Sequence, residues 1–331
     1  MTGSGGFIGS AAAARLSKDS LGGTFDVVGF DLKPSEDSNL AASLAVDLSS
    51  DDSVTQALDQ VRGRFGARIA SVIHLAAYFD LSGEPDPKYR KITVEGTRRL
   101  LAGLKRFEVE QFVFASTMLV HAAARPGETI DEQRPLEPKF PYRNSKIETE
   151  KLIHDERGRI PVVYLRPAGV YDDRCSNPFL ARQIARIYER SPKSHVYPGD
   201  LATGQSFVHL EDLVEAFARV IEHRKDLPEE CPVLIGEPEA MGYGALQDEI
   251  GRLVHGTDWP TWEIPKTVAK AGAYVEADLL GEDPFIRPWM VDIADDHYAL
   301  DITRARQHLG WNPRHSLRDT LPRMIGALKE D

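Results

Sequence analysis

Met1-Thr2-Gly3-Ser4-Gly5-Gly6-Phe7-Ile8-Gly9 opens the chain and runs straight into the alanine-rich stretch Ala11-Ala12-Ala13-Ala14. Glycines at 3, 6 and 9 form a G-x-x-G-x-x-G loop. Such a loop lets the backbone turn tightly off a strand and approach a pyrophosphate at a helix N-terminus, where unpaired N–H groups and the positive end of the dipole favour an anion. Phe25-Asp26-Val27-Val28-Gly29-Phe30-Asp31 follows, an apolar, β-branched run ending in an acid. Asp31 lies about twenty residues after the loop, where the ribose-binding carboxylate of a dinucleotide fold belongs. A plain strand-end turn residue is the alternative reading of Asp31 on its own. One feature is out of pattern. Such a loop normally follows a buried central strand, yet Met1 stands where that strand should be ending. The expectation is that the stated start lies inside a longer natural reading frame, or that residues before it were trimmed.

From this opening a βαβα rhythm extends through the first half. Apolar runs at 24–30, 43–46, 69–75, 111–116 and 160–166 predict strands, and amphipathic stretches at 7–16, 51–65, 87–106 and 142–157 predict helices. Near-continuous apolar strands alternating with helices imply a parallel sheet covered on both faces. Ser50-Asp51-Asp52 supplies an N-cap and an acidic first turn. After about Tyr171 the pattern loosens into loops rich in Pro, Gly and aromatics, although 206–210 and 211–222 read as one further strand–helix unit of the first lobe. The fold class expected is α/β: a Rossmann-type doubly wound parallel sheet with a smaller, interleaved C-terminal substrate lobe. The dinucleotide-binding domain would span 1–171, with 204–236 returning to it. Residues 172–203 and 237–331 would form most of the substrate lobe.

Composition narrows the function. The 331 residues are 42% hydrophobic and 27% charged, as in an ordinary globular protein, and the net charge is −11. No basic stripe offsets that charge, so a nucleic-acid or anionic-membrane partner is not expected. Arg98-Arg99 and His223-Arg224-Lys225 sit among acids and read as solvated helix faces. Cys175 and Cys231 lie in no metal or redox pattern, so no metal is expected and a reducing compartment fits. With no leader and no bilayer-length apolar run, the expectation is a cytoplasmic protein acting on a small molecule.

Tyr142-Arg143-Asn144-Ser145-Lys146 places a tyrosine and a lysine four apart on one helix face. An ammonium beside a phenol favours the phenolate, so Tyr142 could exchange a proton with a substrate hydroxyl. About twenty-five residues upstream, the run Gln111-Phe112-Val113-Phe114-Ala115 ends in Ser116-Thr117. Hydroxyls at the C-terminal end of a parallel strand sit where this fold class binds ligands.

With loop, Asp31, strand-end hydroxyls and Tyr/Lys pair in this order, the chain resembles the extended short-chain dehydrogenase/reductase family. That family includes NAD-dependent epimerases and dehydratases, UDP-galactose 4-epimerase and 3β-hydroxysteroid dehydrogenases. Further shared motifs are Ala45-Val46-Asp47-Leu48, His74-Leu75-Ala76-Ala77, Val94-Glu95-Gly96-Thr97, Arg166-Pro167-Ala168-Gly169-Val170-Tyr171, Phe207-Val208-His209-Leu210-Glu211-Asp212-Leu213 and Leu309-Gly310-Trp311-Asn312-Pro313. The resemblance implies an NAD cofactor held by Gly3, Gly5, Gly6, Phe7, Ile8, Gly9, Asp31, Asp47, Leu48, Leu75, Ala76, Ala77 and Pro167. It implies Tyr142 as acid/base, Lys146 on the nicotinamide ribose, and Thr117 bonded to the reacting oxygen. Tyr78, Ser116, Thr117, Asn177, Gln205 and Arg287 are the substrate-side candidates. Relatives pair through the helices at 87–106 and 142–157, which implies a two-fold homodimer built on a four-helix bundle.

Two departures bear on chemistry. Met118 and Leu119 stand where the family's dehydratases carry an Asp-Glu pair, and neither can move a proton, which leaves hydride transfer alone. Gln205 stands where nucleotide-sugar members usually place a diphosphate-gripping arginine, and Arg287 could supply that charge instead. Tyr78, Phe79, Trp259, Trp262, Phe285 and Trp289 would suit an aromatic or apolar substrate. Three readings stand: a nucleotide-sugar 4-epimerase or oxidoreductase, a dehydrogenase of a steroid-like or aromatic alcohol, and a non-catalytic NAD-binding regulator.

Overall fold

The computed structural model describes residues 1–17, 25–34, 39–80, 82–271 and 288–330. Eight parallel-paired strands organise it: β1 (Val28–Asp31), β2 (Ala42–Ala45), β3 (Val72–His74), β4 (Phe112–Ala115), β5 (Val162–Pro167), β6 (Gly169–Tyr171), β7 (Phe207–His209) and β8 (Glu230–Ile235). In the main sheet β8, β5, β4 and β3 are hydrogen-bonded in that order, β1 pairs with β2, and every ladder is parallel. β6 and β7 form a separate parallel pair. The reason for parallel pairing is visible in the strands themselves. Phe112 and Phe114 of β4 face one apolar cluster while Val113 and Ala115 face the other, so both sheet faces are buried.

Helices α1 (Phe7–Leu16) and α6 (Leu210–Glu222) cover one face and are tied by the Arg15–Glu215 ion pair at 2.9 Å. Helices α2 (Asp51–Phe65), α3 (Glu95–Leu104) and α4 (Pro141–Glu156) cover the other. Ser50 caps α2 by accepting from Ser53 N, as its sequence indicates. The long helix expected over 87–106 is present from 87 to 104, with a π-helical stretch at Tyr89–Val94 that runs directly into α3. The strand expected over 69–75 is broken: Arg68–Ile69 pairs with Glu108–Val109, and only Val72–His74 joins the main sheet. Helices α5 (Pro178–Tyr188), α7 (Tyr243–His255) and α10 (Leu317–Glu330) surround a third apolar cluster with Trp259; α8 (Pro288–Asp292) and α9 (Thr303–Leu309) lie between them in sequence. Tyr298, Leu300, Ile302, Leu309 and Trp311 pack instead against the sheet beside α6.

Between β3 and β1, Thr2 holds the place of a central strand. It bridges Phe30 on one side and His74 on the other; Thr2 N donates to Ile73 O at 2.9 Å and Phe30 N to Met1 O at 2.8 Å. Behind Met1 lies a cavity of about 300 Å³ between Phe25, Val27 and Val28 and Val72 and Ile73, floored by Leu58, Leu100 and Leu104.

Candidate active site

The glycine loop is shaped by close approaches. Gly3 has φ +70° and lies against the Ala76 backbone, where an added Cβ would come within 2.9 Å of Ala76 N. A Cβ on Gly9 would fall 2.0 Å from Gly3 O, so only glycine lets α1 begin this close to the loop. Gly6 is the N-cap and offers no side chain, which leaves the first N–H groups of α1, at Phe7 and Ile8, without a side-chain partner. Beside the loop Asp31 Oδ2 accepts from Gly5 N at 2.9 Å and Oδ1 from Leu32 N at 2.8 Å. Lys33 is exposed. Ser4 Oγ is buried with no hydrogen-bond partner, an orphan a bound group could satisfy. Helix terminus, backbone cradle, orphaned hydroxyl and ribose-side carboxylate fit a dinucleotide.

His74 pins this cradle to the rest of the sheet. Thr97 Oγ1 donates to Thr93 O, so it accepts from His74 Nε2 at 2.8 Å, and His74 Nδ1 then accepts from Thr2 Oγ1 at 2.7 Å. Thr2 Oγ1 in turn accepts from Ala76 N at 3.2 Å, which sets the backbone at Leu75, Ala76 and Ala77 beside Gly3. Asp47 accepts from Ser49 N at 2.8 Å, and that backbone bond holds its carboxyl below the usual carboxylate range. Leu48 is buried against Gly96, and Pro167 closes β5 in the core.

Tyr142 and Lys146 share one face of α4, and their expected electrostatics differ from what is seen. Lys146 Nζ donates to Ala115 O at 2.7 Å and lies 4.8 Å from the Phe114 ring centre and 5.8 Å from that of Tyr142. Burial therefore governs both groups, raising the Tyr142 phenol well above its ordinary value and bringing the Lys146 ammonium down to about 8. Ser116 Oγ is buried without a partner, while Thr117 caps the short turn Met118–Val120 through Leu119 N at 3.2 Å.

Tyr142 opens onto a cavity of about 330 Å³ whose other walls are Phe79, Leu119, Gln205, Tyr243 and Trp289, among others. Phe79 meets Tyr142 edge-on at 5.0 Å, and Trp289 rests on Gly83 and lies 5.1 Å from Phe140. Arg186 is the cationic side chain among the described lining residues. Of the substrate-side candidates, Gln205 lines this cavity. Tyr78 faces away, donating to Asp86 at 3.0 Å and packing on Tyr89. Asn177 is committed to capping α5, accepting from Phe179 N and Leu180 N at 3.1 Å each. Arg287 and Phe285 lie outside the described residues. Trp259 is buried against His195, and Trp262 is exposed. Phe140, Met241 and Tyr243 come from segments without a motif and were not legible as site residues, whereas Tyr197 and Pro198, from a Pro/Gly/aromatic loop of the kind that shapes a pocket, and Trp289 line the cavity.

A parallel doubly wound sheet, a glycine cradle at a helix N-terminus and a Tyr/Lys pair on one helix face, with the tyrosine at a cavity wall, define a dinucleotide-dependent enzyme. The sequence profile of the NAD dependent epimerase/dehydratase family matches residues 1–236, and the chain belongs to that family. It is 27% identical to the uncharacterized UDP-glucose epimerase YtcB of Bacillus subtilis over 99% of this chain and 96% of that one. It is 26% identical to the UDP-glucose 4-epimerase of Mycolicibacterium smegmatis over 98% of this chain and 96% of that one. Its fold is similar to that of MoeE5 solved with UDP-glucose and NAD, with TM-score 0.73, 24% identity and 99% and 97% of the two chains covered. The protein is thus an NAD-dependent enzyme of the extended short-chain type. No described helix is long and apolar enough to cross a membrane.

Proposed function

We propose that the protein moves a hydride at a single hydroxyl-bearing carbon of a nucleotide sugar, in the manner of a 4-epimerase. The observation that carries this is the composition of the reacting corner. Tyr142 lies at the cavity wall, and Leu119 beside it and the buried Met118 occupy the positions from which a second acid/base would drive elimination. NAD, when bound, supplies the hydride acceptor and donor. Tyr142 takes the substrate hydroxyl proton as the carbon–hydrogen bond breaks, and gives it back to the carbonyl oxygen when the hydride returns. Return to the opposite face of the ketone yields the epimer. In this reading Lys146 would hold the nicotinamide ribose and Thr117 would hydrogen-bond the reacting oxygen. The full-length similarity to UDP-glucose epimerases supports the substrate class.

A second reading keeps the chemistry and takes a steroid-like or aromatic alcohol. The aromatic walls of the cavity and the neutral Gln205 favour it. One assay separates the two. The enzyme is incubated with NAD and a panel of UDP-, GDP- and dTDP-sugars, steroid alcohols and aryl alcohols, following NADH absorbance and chromatographic products. Conversion of a nucleotide sugar to its C4 epimer without NADH accumulation is expected. NADH accumulation on an apolar alcohol, with no nucleotide sugar turned over, would overturn the first reading.

The same proposal includes a division of the chain in which 172–203 and 237–331 provide most of the substrate lobe, supported by the third apolar cluster around α5, α7 and α10. It also includes a cytoplasmic setting and a two-fold homodimer through α3 and α4. The apolar residues of these helices, Leu100, Leu101, Leu104, Leu152 and Ile153, are used by the sheet face. The outward face carries the Arg98–Glu156 and Arg90–Glu148 ion pairs, so a dimer here would meet through a charged surface.

A further inference from the structure

We propose that His209, Glu211 and His315 form a binding site for one divalent transition-metal ion, Zn²⁺ in the first place, that clips the C-terminal segment to the start of α6. Each residue offers one donor atom, and the three atoms lie within 4.8 Å of one another. His209 ends β7 and Glu211 stands in the first turn of α6, whereas His315 arrives from the far end of the chain, just before α10. Their separation in sequence explains why no ligand spacing was visible there.

The histidine environment points to a missing partner. His209 is 3% exposed, and its Nδ1 accepts weakly from Glu211 N at 3.3 Å. Its Nε2 is buried with no hydrogen-bond partner and faces, at 3.5 Å, Asp173 Oδ1, which is itself paired with Arg323 Nε at 3.2 Å. A buried imidazole nitrogen left this way is costly unless something completes it. The His315 ring stacks on His209 with centres 4.1 Å apart, and its Nε2 stands 3.6 Å from Glu211 Oε2. His315 is held in that place from behind. Asp212 Oδ2 accepts from Arg314 N and His315 N at 2.9 Å each, and Trp311 Nε1 donates to Asp212 O at 2.9 Å. Asp173, Glu211 and Asp212 surround the pair with negative charge, against which Arg323 on Asp173 is the cation paired within the cluster.

Two imidazoles and a carboxylate suit Zn²⁺, and also Co²⁺ or Ni²⁺, in preference to Ca²⁺ or Mg²⁺. Ligand atoms about 2 Å from a tetrahedral ion sit roughly 3.3 Å apart, so the donors must draw together by about 1 Å or more. Glu211 and His315 can supply that movement, because their side chains are 76% and 25% exposed. Ligation through His209 Nε2 shifts that ring's proton to Nδ1 and gives up the weak helix cap. None of the three residues lines the Tyr142 cavity, so the site is separate from the catalytic one.

The test uses full-length protein stripped with a chelator and then titrated with Zn²⁺ by calorimetry, with Co²⁺ absorption reporting geometry. Binding of one ion per chain, a tetrahedral Co²⁺ spectrum and a raised melting temperature are expected. His315→Ala and Glu211→Gln, both at accessible side chains, should each weaken binding by at least about tenfold while leaving the metal-free melting temperature near the parent's. Failure of the parent to bind Zn²⁺, or undiminished binding in both variants, would overturn the proposal.

Discussion

Tyr142 sits where desolvation governs its phenol in the free protein. Its phenol is held well above the ordinary value, and Lys146 delivers its proton to Ala115 O and not to the tyrosine. The proposed role of Tyr142 as acid/base is open to a direct test. Tyr142→Phe keeps the ring that packs on Phe79 and removes the exchangeable proton. Turnover should fall by about a hundredfold or more while NAD affinity holds, as read by steady-state rates and dinucleotide titration. A variant retaining full turnover would show that another group moves the proton. Asp31 is prepared differently, with two backbone N–H groups fixing its carboxylate next to Gly5. A 2′-phosphate brought there would meet a fixed negative charge, so NAD should bind well ahead of NADP, and Asp31→Ala should erode the difference. Equal affinities in the parent would sink that assignment.

At the scale of elements, what could be read in advance was whatever local chemistry dictates. The apolar runs became β1, β4 and β5, and Ser50 capped α2 where its type and position require. The glycine cradle and the Tyr/Lys face were legible because backbone crowding and helical spacing each leave a direct mark on sequence. The π-helical turn at Tyr89–Val94 was not, since it arises from packing against α4 and carries no composition of its own. Nor were Phe140, Tyr243 and the adjoining cavity walls, which are brought together only by the tertiary fold. Asn177 shows the opposite failure: its position suggested a ligand, and its side chain caps a helix. Two buried neutral histidines lie at the end of β3 and just after the Met118–Val120 turn. His74 lies between Thr2 and Thr97 and is brought down to about 3; His121, donating to Arg134 O and accepting from Arg166, is brought down to about 4. Both folded values lie below the ordinary 6.5, so the unfolded chain binds more protons in that interval and stability falls as pH drops from about 6.5 toward 4. Glu237, raised to about 7 by burial, works the other way, gaining stability as pH falls. Urea midpoints at pH 7.5 and 5 should show a net loss in the parent and a smaller one in His121→Gln. An unchanged slope in that variant would remove His121 from the account.

At the scale of the whole molecule, the two parts of the main sheet are laced together by the backbone of Met1 and Thr2. Thr2 bridges β1 and β3, and without it the two parts of the main sheet share no ladder. A two-residue bridge bonds to both neighbours only at the C-terminal end of the sheet, where it positions the glycine loop. The opposite end is left with the apolar cavity of about 300 Å³ between Val27 and Val28 on one side and Val72 and Ile73 on the other. Leu58, Leu100 and Leu104 are buried beside it, and each buried apolar side chain is worth about 1.5–3 kcal/mol when well packed. The shape matches a strand: parallel neighbours on both flanks, apolar layers above and below, and the Met1 amine pointing along the slot to Val28 O at 2.7 Å. An extension of four or five β-branched residues placed before Met1 should therefore pair with β1 and β3 and fill the cavity. Its melting temperature should rise by several degrees, with slow amide exchange appearing in Val28 and Ile73. Charged residues in the same extension should fail to do so, since a parallel central strand is buried on both faces. If the apolar and the charged extensions melt alike, the cavity is packing slack and the bridge at Thr2 is sufficient for the sheet.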